Sequence, residues 1–136
     1  MVNRFEELAA WRFCMDLSQK VDELTANVGT PRYREQIQDA AESAPALIAE
    51  GFARFTVGEM IRYLRMARAE LAEVQSAIRK GVSAKYFSAS DAECLTNLAK
   101  RAMGTTTNFL KSKLRQSEEE ASKKRRQRRS RRKPAR

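Results

Sequence analysis

Apolar residues recur at spacings of three and four along most of this chain, and the rhythm breaks at three places. Leu8, Trp11, Cys14, Met15, Ser18, Val21, Leu24 and Val28 form one such stripe. It predicts a helix that begins near Phe5 or Leu8 and ends at about residue 27. Val28-Gly29 closes it, because Gly enters the left-handed conformation common after a helix. Thr30-Pro31 opens the next helix: Thr can cap, and Pro is tolerated at the first helical position. The second stripe is Tyr33, Ile37, Ala40, Ala41, Ala44, Leu47, Ile48 and Phe52, a helix of about residues 31–53. Pro45 lies inside it and has no N–H for the carbonyl of Ala41. The period continues through Pro45, so a kink is expected, not a break. The small residues Ala40, Ala41, Ser43, Ala44 and Ala46 allow another helix to approach closely there.

Thr56-Val57-Gly58-Glu59 has the spacing of a capping box. The third helix follows, over about residues 57–80, with Val57, Met60, Ile61, Leu64, Ala67, Leu71, Val74 and Ile78 facing inward. Gly81 is its expected stop. Ser88 or Ser90 caps the fourth helix, and Ser90 with Glu93 makes a second capping box. Leu95, Leu98, Ala99, Ala102, Thr106, Phe109 and Leu110 carry the last stripe to about residue 114. Gly104 and the threonines at 105 to 107 are weak helix formers, so packing must hold that stretch.

Four amphipathic helices with short links predict an all-α, antiparallel up-down-up-down four-helix bundle over residues 1–116. Composition agrees. Hydrophobic residues reach 42%, while five Gly and three Pro are too few for a turn-rich β fold. Past Leu114 the apolar period stops. Residues 117–136 are low-complexity: an acidic triplet, Glu118-Glu119-Glu120, then K-K-R-R-Q-R-R-S-R-R-K over 123–133. So many like charges predict a disordered or extended tail.

The net charge is +10, and the tail carries most of it. Residues 117–136 hold ten Lys or Arg against three Glu, which leaves 17 basic and 14 acidic groups in the first 116. A phosphate-bearing partner is the leading explanation, with a merely solubilising tail as the alternative. No apolar run approaches the ~20 residues of a membrane span. The polar N-terminus lacks the look of a signal peptide, and Cys14 and Cys94 lie far apart in helical patterns. A cytoplasmic chain with no membrane contact is expected.

The segment 36–74 resembles a bacterial four-helix-bundle family, the proteins encoded in intervening sequences of 23S ribosomal RNA genes. The matching residues are Gln36-Ile37, Ala40-Ala41, Ser43-Ala44-Pro45 and Ile48-Ala49-Glu50-Gly51-Phe52, then Arg54, Thr56, Glu59, Tyr63, Leu64, Ala67 and Arg68. F-E-E-L-x-x-W from Phe5 to Trp11 matches as well. The resemblance implies an antiparallel bundle that assembles as a homo-oligomeric ring, typically a pentamer, without catalytic activity. Proteins of the same fold act as accessory variability determinants in diversity-generating retroelements, where basic rings bind nucleic acid and a reverse transcriptase. The family usually carries basic residues where this chain has Gln38 and Asp39, which removes charge from that part of the second helix.

Candidate sites follow from charge. Counting about 100° per residue, Arg62, Arg65, Arg68 and Arg79 fall on one flank of the third helix and Glu59, Glu70 and Glu73 on the other. No Glu there precedes a Lys or Arg by four residues, so the usual self-stabilising pairs are missing. The basic flank suits phosphates or a ring interface; an ordinary solvated face is the alternative. The main nucleic-acid contact is expected from Lys123, Lys124, Arg125, Arg126, Arg128, Arg129, Arg131, Arg132 and Lys133, which would neutralise phosphates of RNA or DNA without reading bases. The run contains no aromatic residue, so base stacking from the tail itself is not expected. Pro45, Glu50, Gly51, Thr56 and Glu59 are read as structural motif residues, and Trp11 with Phe5 as a core or interface anchor. The sequence contains no His, no paired metal-ligand Cys and no phosphate-cradling Gly loop. A non-enzymatic oligomeric scaffold without metal or cofactor is therefore expected to bind nucleic acid. The alternatives are a retroelement accessory protein or a purely structural, protein-interaction oligomer.

Overall fold

A computed structural model of the chain describes Phe5 and residues 8–132. Four helices account for nearly all of them: α1 (Ala9–Thr25), α2 (Pro31–Phe52), α3 (Val57–Ser83) and α4 (Ala89–Arg132). Each packs on two others, in the cyclic order α1, α2, α3, α4. Tyr33, early in α2, donates its hydroxyl to the carbonyl of Ala77, late in α3, at 2.6 Å. Gly51, late in α2, lies against Met60 and Tyr63, early in α3. These two helices therefore run in opposite directions. Cys14 of α1 and Thr106 of α4 meet in the core, Sγ to Oγ1 at 3.8 Å.

The core is aliphatic, with Leu17, Val21, Ile37, Ile48, Leu64, Leu71, Val74 and Leu95 fully buried at its centre. The stripes of α2 and α3 supply it much as their spacing predicts. In α1 the periodic stripe omits Leu17, which is fully buried, whereas Met15, Leu24 and Val28 are only half-buried. Thr106 is buried as well, so packing does hold the Thr-rich turn of α4. α2 is one continuous helix through the buried Pro45, flanked by the buried Ala40, Ala41 and Ala44.

Helix ends show where local signals are overruled. Thr30 accepts from the Tyr33 amide, and Gly29 takes φ +67, both as the spacing predicts. Thr56 accepts from the Glu59 amide at 3.1 Å, the forward half of the expected capping box. Ser88 caps α4 by accepting from the Asp91 amide, so Ser90 and Glu93 lie inside the helix and form no second box. Gly81 does not stop α3, which runs on to Ser83 and turns at Lys85, a non-Gly residue with φ 61. Gly81 is instead a packing site. A Cβ there would collide with the ring of Phe87 and the hydroxyl of Tyr33.

The largest departure is at the C-terminus. The tail expected to be disordered or extended continues α4 as helix to Arg132. No Gly or Pro interrupts residues 105–133. Arg, Lys, Gln, Glu and Ala are good helix formers, and extending an existing helix avoids the nucleation cost. Glu119 and Glu120 precede Lys123 and Lys124 by four residues, the favourable order, and the arginines sit at the negative end of the helix dipole. These terms outweigh repulsion that water and salt screen.

The two cysteines differ sharply. Burial pushes the Cys14 thiol up to about 11, against the smaller opposing effect of its bond to Thr106. Cys94 is only half-buried. A thiol reagent at neutral pH is therefore expected to titrate Cys94 in the folded protein and Cys14 only after denaturant is added. Rapid modification of both thiols in the native state would contradict this core.

Candidate nucleic-acid interface

Leu114 is the last apolar residue of α4 that packs on the core, and no described residue beyond Leu110 is fully buried. Residues 117–132 extend roughly 24 Å further at 1.5 Å per residue. Within them Arg125, Arg128, Arg129 and Arg132 stand at i, i+3, i+4 and i+7, which places all four on one face. With Ser122 and Arg126 they line a shallow groove of about 460 Å³. Lys123, Lys124 and Arg131 are exposed around the rest of the helix. Lys133 lies outside the described residues. Helix formation thus turns a run of charge into a directed array, spaced by the helical repeat and clear of the bundle.

The flanks of α3 meet different neighbours. Glu70 and Glu73 line a groove of about 620 Å³ between α2 and α3, with Asp39 and Ser43 opposite. Burial raises the pKa of Glu70, and the adjacent Glu73 raises it further. This side of the bundle is acidic, and it would repel a polyanion. Arg79 points into a smaller hollow of about 200 Å³ between α3 and α4, with Lys100 across from it and Gln75 and Thr96 beside them. Arg68 lies on the same side of α3 by helical phase and is half-buried, its Nε without a hydrogen-bond partner. Arg62 and Arg65 are exposed and sit further round toward solvent. The four arginines of α3 are therefore not one strip. Arg68 and Arg79 border α4, while Arg62 and Arg65 face outward. Nothing in the sequence singles out Lys100, because its closeness to Arg79 depends on how α4 docks.

Glu50, Gly51, Thr56 and Glu59 build the joint between α2 and α3, while Pro45 lies buried inside α2 about two turns before its end. The Arg54 guanidinium donates from Nη2 to Glu50 Oε1 at 3.1 Å and to the Tyr63 hydroxyl at 2.6 Å. It also sits over the Tyr63 ring, 4.9 Å from the centroid. Gly51 leaves room for this, since its Cβ would come within 2.7 Å of Tyr63 Cβ. Glu50 is thereby engaged in holding the link. Trp11 meets Phe5 edge to face at 5.3 Å and is half-buried, a packing arrangement.

Among the described residues no cluster of His, Cys, Asp or Glu could hold a metal ion. No helix among them is long and apolar enough to cross a membrane. No curated protein matches the chain. The model of one family, described as the 23S rRNA-intervening sequence protein, matches residues 6–108, from α1 into the packed part of α4 but short of the arginine extension, and the chain belongs to that family.

Proposed function

We propose that this protein is a non-enzymatic, nucleic-acid-binding scaffold that grips phosphates with the extension of α4. The observation that carries this is the continuous helix beyond the core, with Arg125, Arg128, Arg129 and Arg132 on one exposed face. Guanidinium groups on such a face pair with phosphate oxygens and release counterions. A single α-helix also has the width that the major groove of a duplex admits. The extension offers many cations and one amide side chain, Gln127, so charge contacts with the phosphate backbone supply most of the affinity. A homo-oligomeric ring would set several such arms side by side and multiply their effect through local concentration. Presenting a template RNA to a reverse transcriptase would use the same face.

Fluorescence anisotropy with labelled RNA and DNA tests this. The logarithm of the binding constant should fall linearly with the logarithm of salt concentration, by about 0.9 per duplex phosphate neutralised. Absence of binding to either polymer at about 50 mM salt, where electrostatic association is strong, would favour a purely structural oligomer.

A further inference from the structure

The link between α2 and α3 carries Phe55 with its whole side chain in water, at 103% relative exposure. The link is short and pinned at both ends. The Ala53 amide donates to the carbonyls of Ala49 and Glu50, the Arg54 amide to that of Gly51, and Thr56 caps α3. Arg54 is held by Glu50 and Tyr63. Phe55 is thus an aromatic ring presented from a constrained loop, not one at the end of a loose segment.

Its surroundings point to a ligand class. Phe52, Arg54, Phe55, Val57, Lys113 and Gln116 border a hollow of about 210 Å³ at this end of the bundle. Lys113 is fixed in its wall by a bond to Gln116 at 3.2 Å and by its place over the Phe109 ring. The basic run of α4 starts seven residues after Gln116, about 10 Å further along the same axis. One ring flanked by cations is too small and too charged for a stable protein interface, which needs about 800 Å² on each partner. It does suit a planar π face with phosphates on either side.

We infer that Phe55 is a stacking platform for an unpaired base of single-stranded nucleic acid, whose nearest phosphate lies on Lys113 and whose strand runs on along the basic run of α4. The inference rests on the proposed phosphate-binding role of that extension. It adds a preference for single strands, because a paired base cannot offer its face to the ring without leaving the duplex. Stacking of this kind is tolerant of sequence, since every base has a π face.

The test compares the intact chain with Phe55→Ala and Phe55→Trp on oligo(dT) and on an oligo(dA)·oligo(dT) duplex of the same length. Phe55→Ala is expected to weaken binding to the single strand about tenfold and to leave duplex affinity unchanged. Phe55→Trp should keep single-strand affinity, and its indole fluorescence should be quenched by oligo(dT) over the constant signal of Trp11. Equal single-strand affinity of Phe55→Ala and the parent, with no quenching in Phe55→Trp, overturns the platform while leaving the phosphate-binding extension in place. A loss of self-association in Phe55→Ala at unchanged nucleic-acid affinity also overturns it, since Phe55 would then be a contact between copies. If the parent chain binds neither polymer, the role of the extension and the platform fall together.

Discussion

Replacing Arg125, Arg128, Arg129 and Arg132 with Gln is expected to weaken nucleic-acid binding roughly 1,000-fold at about 0.1 M salt. Neutralising one duplex phosphate releases about 0.9 counterion, so removing four arginines flattens the log–log salt slope by about 3.6. Gln is close to Arg in helix propensity, so circular dichroism should report the same helix content. The weaker binding would then belong to charge and not to a melted arm. Replacing Arg62 and Arg65 with Gln removes half as many charges from an exposed face outside the array, and a smaller effect is expected. A slope that moves by less than one unit in the four-residue variant would take the extension out of the interface. It would turn attention to Arg79 and Lys100 between α3 and α4.

Gly51→Ala is expected to destabilise the fold, whereas Gly104→Ala should stabilise it. Both glycines lie in helices, where Ala is favoured by up to about 1 kcal/mol. Gly104 is exposed, with nothing within 4 Å of an added Cβ, so the propensity gain stands alone. At Gly51 the added atom would lie 2.7 Å from Tyr63 Cβ and 3.0 Å from Met60 Sδ. Tyr63 Cβ is bonded to the backbone and cannot swing away, so α2 and α3 must separate. Overpacking of that kind costs about 1–3 kcal/mol, which exceeds the propensity gain over most of that range. The separation would also disturb the bonds that tie Arg54 to Tyr63 and Glu50. Thermal unfolding should show midpoints displaced in opposite directions by several degrees. A Gly51→Ala protein that melts above the parent would refute the close approach at this joint.

The same contrast shows how far residue types carry an interpretation. Gly81 and Gly51 are both single glycines near a helix end, and local rules make the first a stop. In the structure both are helical and both admit a neighbouring side chain. Lys85 takes the left-handed turn that those rules assign to Gly81. Ser88 and Ser90 present a similar choice: both can cap, and Ser88 does. The basic tail is the inverse case. Charge counting favours an extended chain, yet the composition from 105 to 133, free of Gly and Pro, favours helix once α4 is already formed. Propensity prevails because repulsion among exposed charges is screened, while each added residue completes a backbone hydrogen bond.

Sequence alone determined the four helices, most of their inward faces, the Thr30 and Thr56 caps, the position of the basic cluster and the family resemblance. Each of these is a matter of spacing along one chain, and spacing follows from the 3.6-residue repeat. Tertiary structure decided the rest: that Leu17 is central, that Gly81 is a packing site, that Arg79 and Lys100 line one hollow and that Phe55 stands exposed beside a hollow that Lys113 also lines. Those facts join residues far apart in the chain. They depend on how helices dock, which is set by the shape of whole packed faces and cannot be read from any one stretch.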